Sequence, residues 1–447
     1  TRGYIYISIG PRSNMASREQ KIDDEMGDNS EPHQQHNEGD DDDMDEEDTM
    51  MLDQGDVMEV IDTGNAVDEL QHGMETHVNM NSDSAPKLTA DTLAEHNDDE
   101  MQDNTIEEAP LDCSTSKFVG HTGYVLSIAW HPQGNVVASG GEDDKAFAWN
   151  IADGSKVLEV NDHKDSVVQV TFNRAGTLLA TASMDGMIVI RKFPEGDKVC
   201  ELDCGDDLTW IQWHPIAQFI IAGTDSGSLY MWDVPGANMG FFSGHGTTVT
   251  CGGWSPEGRN FISGSDDGVL ILWSPKTRAA ITKIDVKTDH KFHKIGVTCL
   301  SWCPSGELVA TGAQDGTVCI TQPKLGKVTF SLKVGPQSIE AVAFSNTLPL
   351  TLAIADLGGM LYIYDENSQR LLHKFQHDDG IVKLEWEKSR AHLLCCTLDG
   401  KINLWNCNTG KREKVWTGHV GQVLDFATAP DGKHIVSAGQ DGKSLVY

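Results

Sequence analysis

Eight segments of this chain share one design, and that repetition limits the fold more than any other feature. ASGGEDDKAFAWN, ATASMDGMIVIRK, IAGTDSGSLYMWD, ISGSDDGVLILWS, ATGAQDGTVCITQ, AIADLGGMLYIYD, CCTLDGKINLWNC and VSAGQDGKSLVY align at a turn rich in Gly and Asp between two strand-like runs. The slot usually holding Trp contains Trp149, Arg191, Trp232, Trp273, Thr321, Tyr364, Trp405 and Tyr447, at spacings of 42, 41, 41, 48, 43, 41 and 42 residues. A period of this length marks stacked supersecondary units, none of which can bury its faces alone. In the first unit Val125 to Trp130, Val136 to Ser139 and Ala146 to Asn150 read as strands, with a fourth around Val157 to Val160.

A second regularity accompanies the first. A His stands 22 residues before the turn Asp in six units: His121/Asp143, His163/Asp185, His245/Asp267, His293/Asp315, His377/Asp399 and His419/Asp441. The third and sixth units break the pattern, with Cys204/Ser226 and Pro336/Gly358 in these slots.

Together these residues resemble the WD-repeat family, whose units carry Gly-His near the start and Trp-Asp near the end. Gly-His occurs at 120–121, 244–245 and 418–419, and Trp-Asp at 232–233. The resemblance covers about residues 114–447 and implies an all-β fold, one eight-bladed WD-repeat β-propeller with four strands per blade. The eighth unit reaches only its third strand at Tyr447, so Ser114 to Val119 is expected to complete that blade and close the ring.

The resemblance also implies a hydrogen-bond relay within each blade, in the first through His121, Ser139, Asp143 and Trp149. His245, Ser263, Asp267 and Trp273 repeat the full set. Ser, His and Asp are also the groups of nucleophilic catalysis, but a hydrolase needs one constellation beside an oxyanion site, whereas these recur at constant spacing. A structural role and a non-enzymatic protein are therefore expected.

Charge separates the chain into two parts. Five basic and 32 acidic residues precede residue 114, against 29 and 36 afterwards. Residues 1–113 are expected to form a disordered acidic tail, because such composition cannot bury enough apolar surface to offset its ordering entropy. Residues 1–14 precede Met15 and are set apart as translated leader or non-native sequence. Neither part offers the net basic surface that phosphate neutralisation requires, which argues against direct nucleic-acid binding. No apolar run approaches membrane-spanning length and no secretory signal is readable, so a cytoplasmic location, with the nucleus also open, is expected. The ten cysteines form no C-x-x-C pair and lie mostly in apolar runs, which favours reduced, buried thiols. Cys200/Cys204 and Cys299/Cys303 come nearest to ligand spacing but could bind zinc only if the fold supplied further ligands, and neither metal nor cofactor is expected.

The 48-residue spacing places a basic insertion at Lys287 to Lys294, on the same propeller face as the acidic turns 141–144, 224–226 and 265–267. Glu142, Asp144, Asp225 and Asp266, with Asp207 and Trp210 nearby, are candidates for a client-binding face where Arg side chains would pair with carboxylates and stack on the indole.

The stretches GHTGYVLSIAWHP, SGGEDDKAFAWN, HKDSV and IQWHPIAQFIIAGTDSGSLYMWDVP resemble the angio-associated migratory cell protein family. Membership implies a monomeric intracellular scaffold similar to the dedicated chaperones of a basic large-subunit ribosomal protein, and the family is also linked with cell migration. A histone or chromatin escort suits the same acidity. A ubiquitin-ligase receptor fits poorly, because Trp-Asp-Val-Pro at 232–235 and Trp-Ser-Pro-Lys at 273–276 stand where Trp-Asp-x-Arg is expected.

Overall fold

A computed structural model describes residues 111–447, so the expected disordered tail, apart from 111–113, lies outside the described residues. Residues 116–446 supply eight four-stranded antiparallel sheets. Blade 1 runs outward through Val125–Trp130, Val136–Gly141, Ala146–Asn150 and Lys156–Val160. Blades 2 to 8 begin with Val167–Phe172, Leu208–Trp213, Cys251–Trp254, Val297–Trp302, Ile339–Phe344, Ile381–Trp386 and Val423–Thr428. Burial explains the texture of these strands. Second strands such as Leu178–Ser183 are covered on both sides by neighbouring blades and read as unbroken small and apolar runs. Outer strands such as Lys411–Trp416 meet solvent and carry Lys, Arg and Glu.

The ring closes as the sequence implies. Ser116–Val119 pairs antiparallel with Lys443–Val446, in the register Ser116↔Val446 to Val119↔Lys443, and becomes the outer strand of blade 8. Phe118 is buried there, stacked on Trp149 of blade 1 at 5.4 Å. Joining the two ends of the described chain in one sheet gives blade 8 the same four strands as the other blades.

Eight apolar clusters, one at each blade interface, form a core distributed around the ring. Polar ties add register. The indole Nε1 of the Trp closing the first strand of blades 1, 3, 5 and 7 donates to a carbonyl of the preceding blade: Trp130 to Ala427 at 2.8 Å, Trp213 to Thr171 at 3.2 Å, Trp302 to Gly253 at 3.3 Å and Trp386 to Ala343 at 2.9 Å. At the seam, Lys383 of blade 7 donates to Asp425 of blade 8, whose other oxygen accepts the Ile128 N–H of blade 1 at 2.8 Å.

The basic insertion is a folded loop between Ala279–Ile284 and Val297–Trp302. The amides of Lys287 and Thr288 donate to Asp285, the Asp289 carboxylate accepts the Val328 N–H at 3.1 Å, and Phe292 is buried. The Asp285 bonds shape the loop from within, and the Asp289 bond fastens it to the outer strand of blade 5, Lys327–Lys333.

Candidate functional site

Two kinds of connection share one end of the propeller: the link entering each blade and the turn between its second and third strands. One backbone bond joins them in every blade. The residue before the turn-Asp slot donates its N–H to a carbonyl just ahead of, or at the mouth of, the first strand: Glu142 to Tyr124, Met184 to Ser166, Asp225 to Asp207, Asp266 to Thr248, Gln314 to Gly296, Leu357 to Ser338, Leu398 to Gly380 and Gln440 to Gln422, all at 2.9–3.0 Å. Repetition of this bond gives equivalent side chains equivalent places around the channel mouth.

Beside this ring the His–Asp pairs hold entry link to turn, with geometry that varies by blade. His121 Nδ1 lies 2.8 Å from Asp143 and its Nε2 2.9 Å from Ser139. His419 repeats this with Asp441 at 2.8 Å and Ser437 at 2.6 Å. Burial opposes ionisation of Asp441, but the bonds from His419, Val420 and Lys443 outweigh it and hold the carboxyl down at about 2. His163 and His245 keep Nε2 on Thr181 and Ser263 but stand 3.5 and 3.8 Å from Asp185 and Asp267, whose carboxylates instead accept the Lys164 and Gly246 amides. His293 reaches Asp315 through the Thr317 hydroxyl. Burial drives this imidazole down to about 4, so it is neutral at pH 7.

Two features depart from the relay expected from sequence. His377 does not pair with Asp399: its Nε2 faces the Trp405 indole at 3.1 Å and the Cys395 thiol at 3.5 Å, while Asp399 is taken by Lys401 at 2.5 Å. Cys395 occupies the position where the other five blades with this His present a Ser or Thr hydroxyl, and the nearby Lys401 is a stronger partner for the carboxylate than a neutral imidazole. Trp273 completes its relay, donating to Ser263 at 2.8 Å, whereas the Trp149 Nε1 has no hydrogen-bond partner. The Ser139 and Ser437 hydroxyls are fully buried inside sheets, so neither can reach a substrate carbonyl.

The candidate client-binding residues also divide. Glu142, Asp225 and Asp266 occupy equivalent ring positions on blades 1, 3 and 4, and Asp207 lies beside Asp225 through the backbone bond. Asp266 accepts from the Gln314 amide at 2.7 Å, and Glu142 from the Tyr124 N–H at 3.4 Å. The Asp207 carboxyl is held above its usual range, first by partial burial and then by Asp225, Asp165, Asp206 and Asp185. Among the described residues no ion pair involves Asp165, Asp206, Asp207, Asp225 or Asp266. This is an acidic arc in which the neighbouring carboxylates repel that of Asp207, a repulsion that a cation would relieve.

Two candidates do not belong to that arc as expected. Trp210 is 0 % exposed, with its ring against Gly223 and Gly252. It lies mid-strand, where the missing Cβ atoms of both glycines make room for the indole, and cannot stack on a client without leaving the core. Asp144 has φ 63 and fills the left-handed turn position that Gly186, Gly227, Gly268, Gly316, Gly359, Gly400 and Gly442 hold in the other blades. Asp tolerates that backbone better than most residues, which accounts for its presence. Sequence reading missed the other half of the ring, where Leu357 and Leu398 replace carboxylates; equal offset from the turn Asp would have located them.

No group of three His, Cys, Asp or Glu side chains among the described residues is arranged to hold a metal ion. No described helix is long and apolar enough to cross a membrane.

A closed ring of eight four-stranded blades with these turns defines a WD-repeat β-propeller. The family described as WD domain, G-beta repeat, matches residues 112–150, 154–191, 236–274, 285–321, 369–406 and 410–447, and the chain belongs to that family. The matches pass over blades 3 and 6, the two without the His–Asp pair. Over 353 residues the chain is 34% identical to human angio-associated migratory cell protein, covering 76% of this chain and 81% of the relative. It is 26% identical over 393 residues to ribosome assembly protein SQT1 of Saccharomyces cerevisiae, covering 78% and 90%. The crystal structure of Chaetomium thermophilum Sqt1 bound to the N-terminus of ribosomal protein L10 superposes with a TM-score of 0.71 at 25% identity, covering 75% of this chain and all of that one.

Proposed function

We propose that this protein is a non-enzymatic, monomeric escort that binds a basic segment of a ribosomal protein, the N-terminus of L10, across the channel mouth before ribosome assembly in the cytoplasm. The observation that carries this reading is the acidic arc, in which Asp207 is surrounded by Asp225, Asp165 and Asp206, none of which forms an ion pair among the described residues. A cationic segment laid across blades 1 to 4 removes that repulsion and forms charge-assisted hydrogen bonds. The likeness to Sqt1, which was crystallised with the L10 N-terminus, supports the choice of client.

The test reverses Glu142, Asp225 and Asp266 to Lys and measures binding of an L10 N-terminal peptide by calorimetry, with a histone-tail peptide alongside. An unchanged melting temperature with affinity lowered at least ~100-fold, about 2.7 kcal/mol, is expected. Unaltered L10 affinity in the folded triple variant places the site elsewhere, and tighter binding of the histone peptide to the unaltered protein reassigns the client.

A further inference from the structure

The channel mouth has two chemistries, and the second limits what can bind to the first. At the ring position occupied by Glu142, Asp225 and Asp266 on one side, blades 6 and 7 present Leu357 and Leu398, fixed by the same backbone bond through Ser338 and Gly380. Leu357 is 43% exposed, a large apolar side chain facing solvent on a loop. The two leucines converge: a Cβ placed on Gly380 would lie 3.1 Å from the Cδ1 of each. The two leucine tips thus close over Gly380 as an apolar patch shared by adjacent blades, with Leu398 half-buried against the cluster between blades 7 and 8. Single exposed leucines are ordinary, but two equivalent ring positions meeting over a glycine beside a charged arc form a shaped surface.

We infer that the bound segment is amphipathic, with cationic side chains over blades 1 to 4 and one apolar side chain packed on the patch that Leu357 and Leu398 form. This inference rests on the proposed binding of a basic client at the mouth and deepens it by naming what separates that client from a general polycation. Charge complementarity fixes which end of the segment faces the carboxylates; the apolar contact fixes register, because it excludes water from one defined spot. A chain of lysines satisfies the acidic arc and leaves the leucine patch exposed to water.

The experiment compares the L10 N-terminal peptide with an oligolysine of equal net charge, on the unaltered protein, on Leu357→Ser/Leu398→Ser and on the Glu142/Asp225/Asp266 reversal. Both leucines lie in loops at the ring, and a melting curve confirms that the double variant is folded. The inference expects the leucine variant to lose ~10-fold or more in affinity for the peptide while oligolysine binding stays within ~2-fold. Serine scanning of the peptide's apolar residues should then find one whose loss is non-additive with the leucine variant. Equal weakening of both ligands, or undiminished peptide binding to the leucine variant, overturns the inference while leaving the acidic arc intact. If the charge reversal leaves peptide binding unaltered, the underlying reading fails as well.

Discussion

Replacing Asp425 with Ala tests how the ring is held at its seam. The Asp425 and Lys383 side chains are only 11% and 9% exposed, so both charges have left water. Besides the Lys383 ammonium, the carboxylate accepts the Ile128 N–H at 2.8 Å and its own neighbour Phe426 N–H at 2.9 Å, which ties blade 7 through blade 8 to blade 1. Truncation leaves the ammonium buried with the Phe426 carbonyl at 2.5 Å in place of a counter-charge. Breaking a buried pair from one side costs about 3–5 kcal/mol, whereas replacing both partners by apolar side chains of similar volume is close to neutral. With about 2.1 cal/mol/K of unfolding entropy per residue over roughly 330 residues, a loss of that size lowers the melting temperature by about 4–7 °C. Equilibrium denaturation and thermal melts of Asp425→Ala, Lys383→Met and Lys383→Met/Asp425→Leu form the assay. The double variant should be more stable than Asp425→Ala. If it is equally or less stable, the stranded charge is not the source of the loss and the argument is wrong.

Acid should weaken the fold through its buried imidazoles. Burial lowers the folded-state values of His163 and His377, and takes His293 to about 4 from 6.5, so these rings are neutral when folded and titrate more readily when unfolded. Their contribution is therefore complete above about pH 6.5 and is lost as pH falls below it; for His293 the loss runs down to about pH 4 and is on the order of 3 kcal/mol. His293→Gln should flatten stability against pH in that window, and an unchanged slope refutes the assignment. Thiol chemistry should single out Cys113: it is exposed, while burial holds Cys251, Cys319, Cys395 and Cys407 near 12. Brief alkylation of the native protein followed by peptide mass spectrometry should find Cys113 modified first, and equal labelling of Cys395 would contradict the packing described.

Period and spacing made the fold legible because each blade repeats the same local problem, a meander with two faces to cover. The recurrent Gly-Asp turns, the 22-residue His–Asp interval and the missing strand after Tyr447 predicted eight blades and their closure by 114–119, and the pairing of Ser116–Val119 with Lys443–Val446 agrees. The acidic ring positions were also legible, since their offset from the turn Asp is constant. What one-dimensional pattern could not decide was direction and neighbourhood. Trp210 stands three positions beyond Asp207 in sequence, but the pleat turns its ring inward over glycines of its own blade and the next. His377 has the right spacing from Asp399, but Lys401 and Cys395 decide its partners. Lys383 and Asp425 lie 42 residues apart, on first strands that the stacking of blades 7 and 8 places side by side. The sequence by itself determined a repeating architecture, because local patterning sets strands and turns. The tertiary structure decided which side chains meet, because contacts across blade interfaces depend on every blade at once.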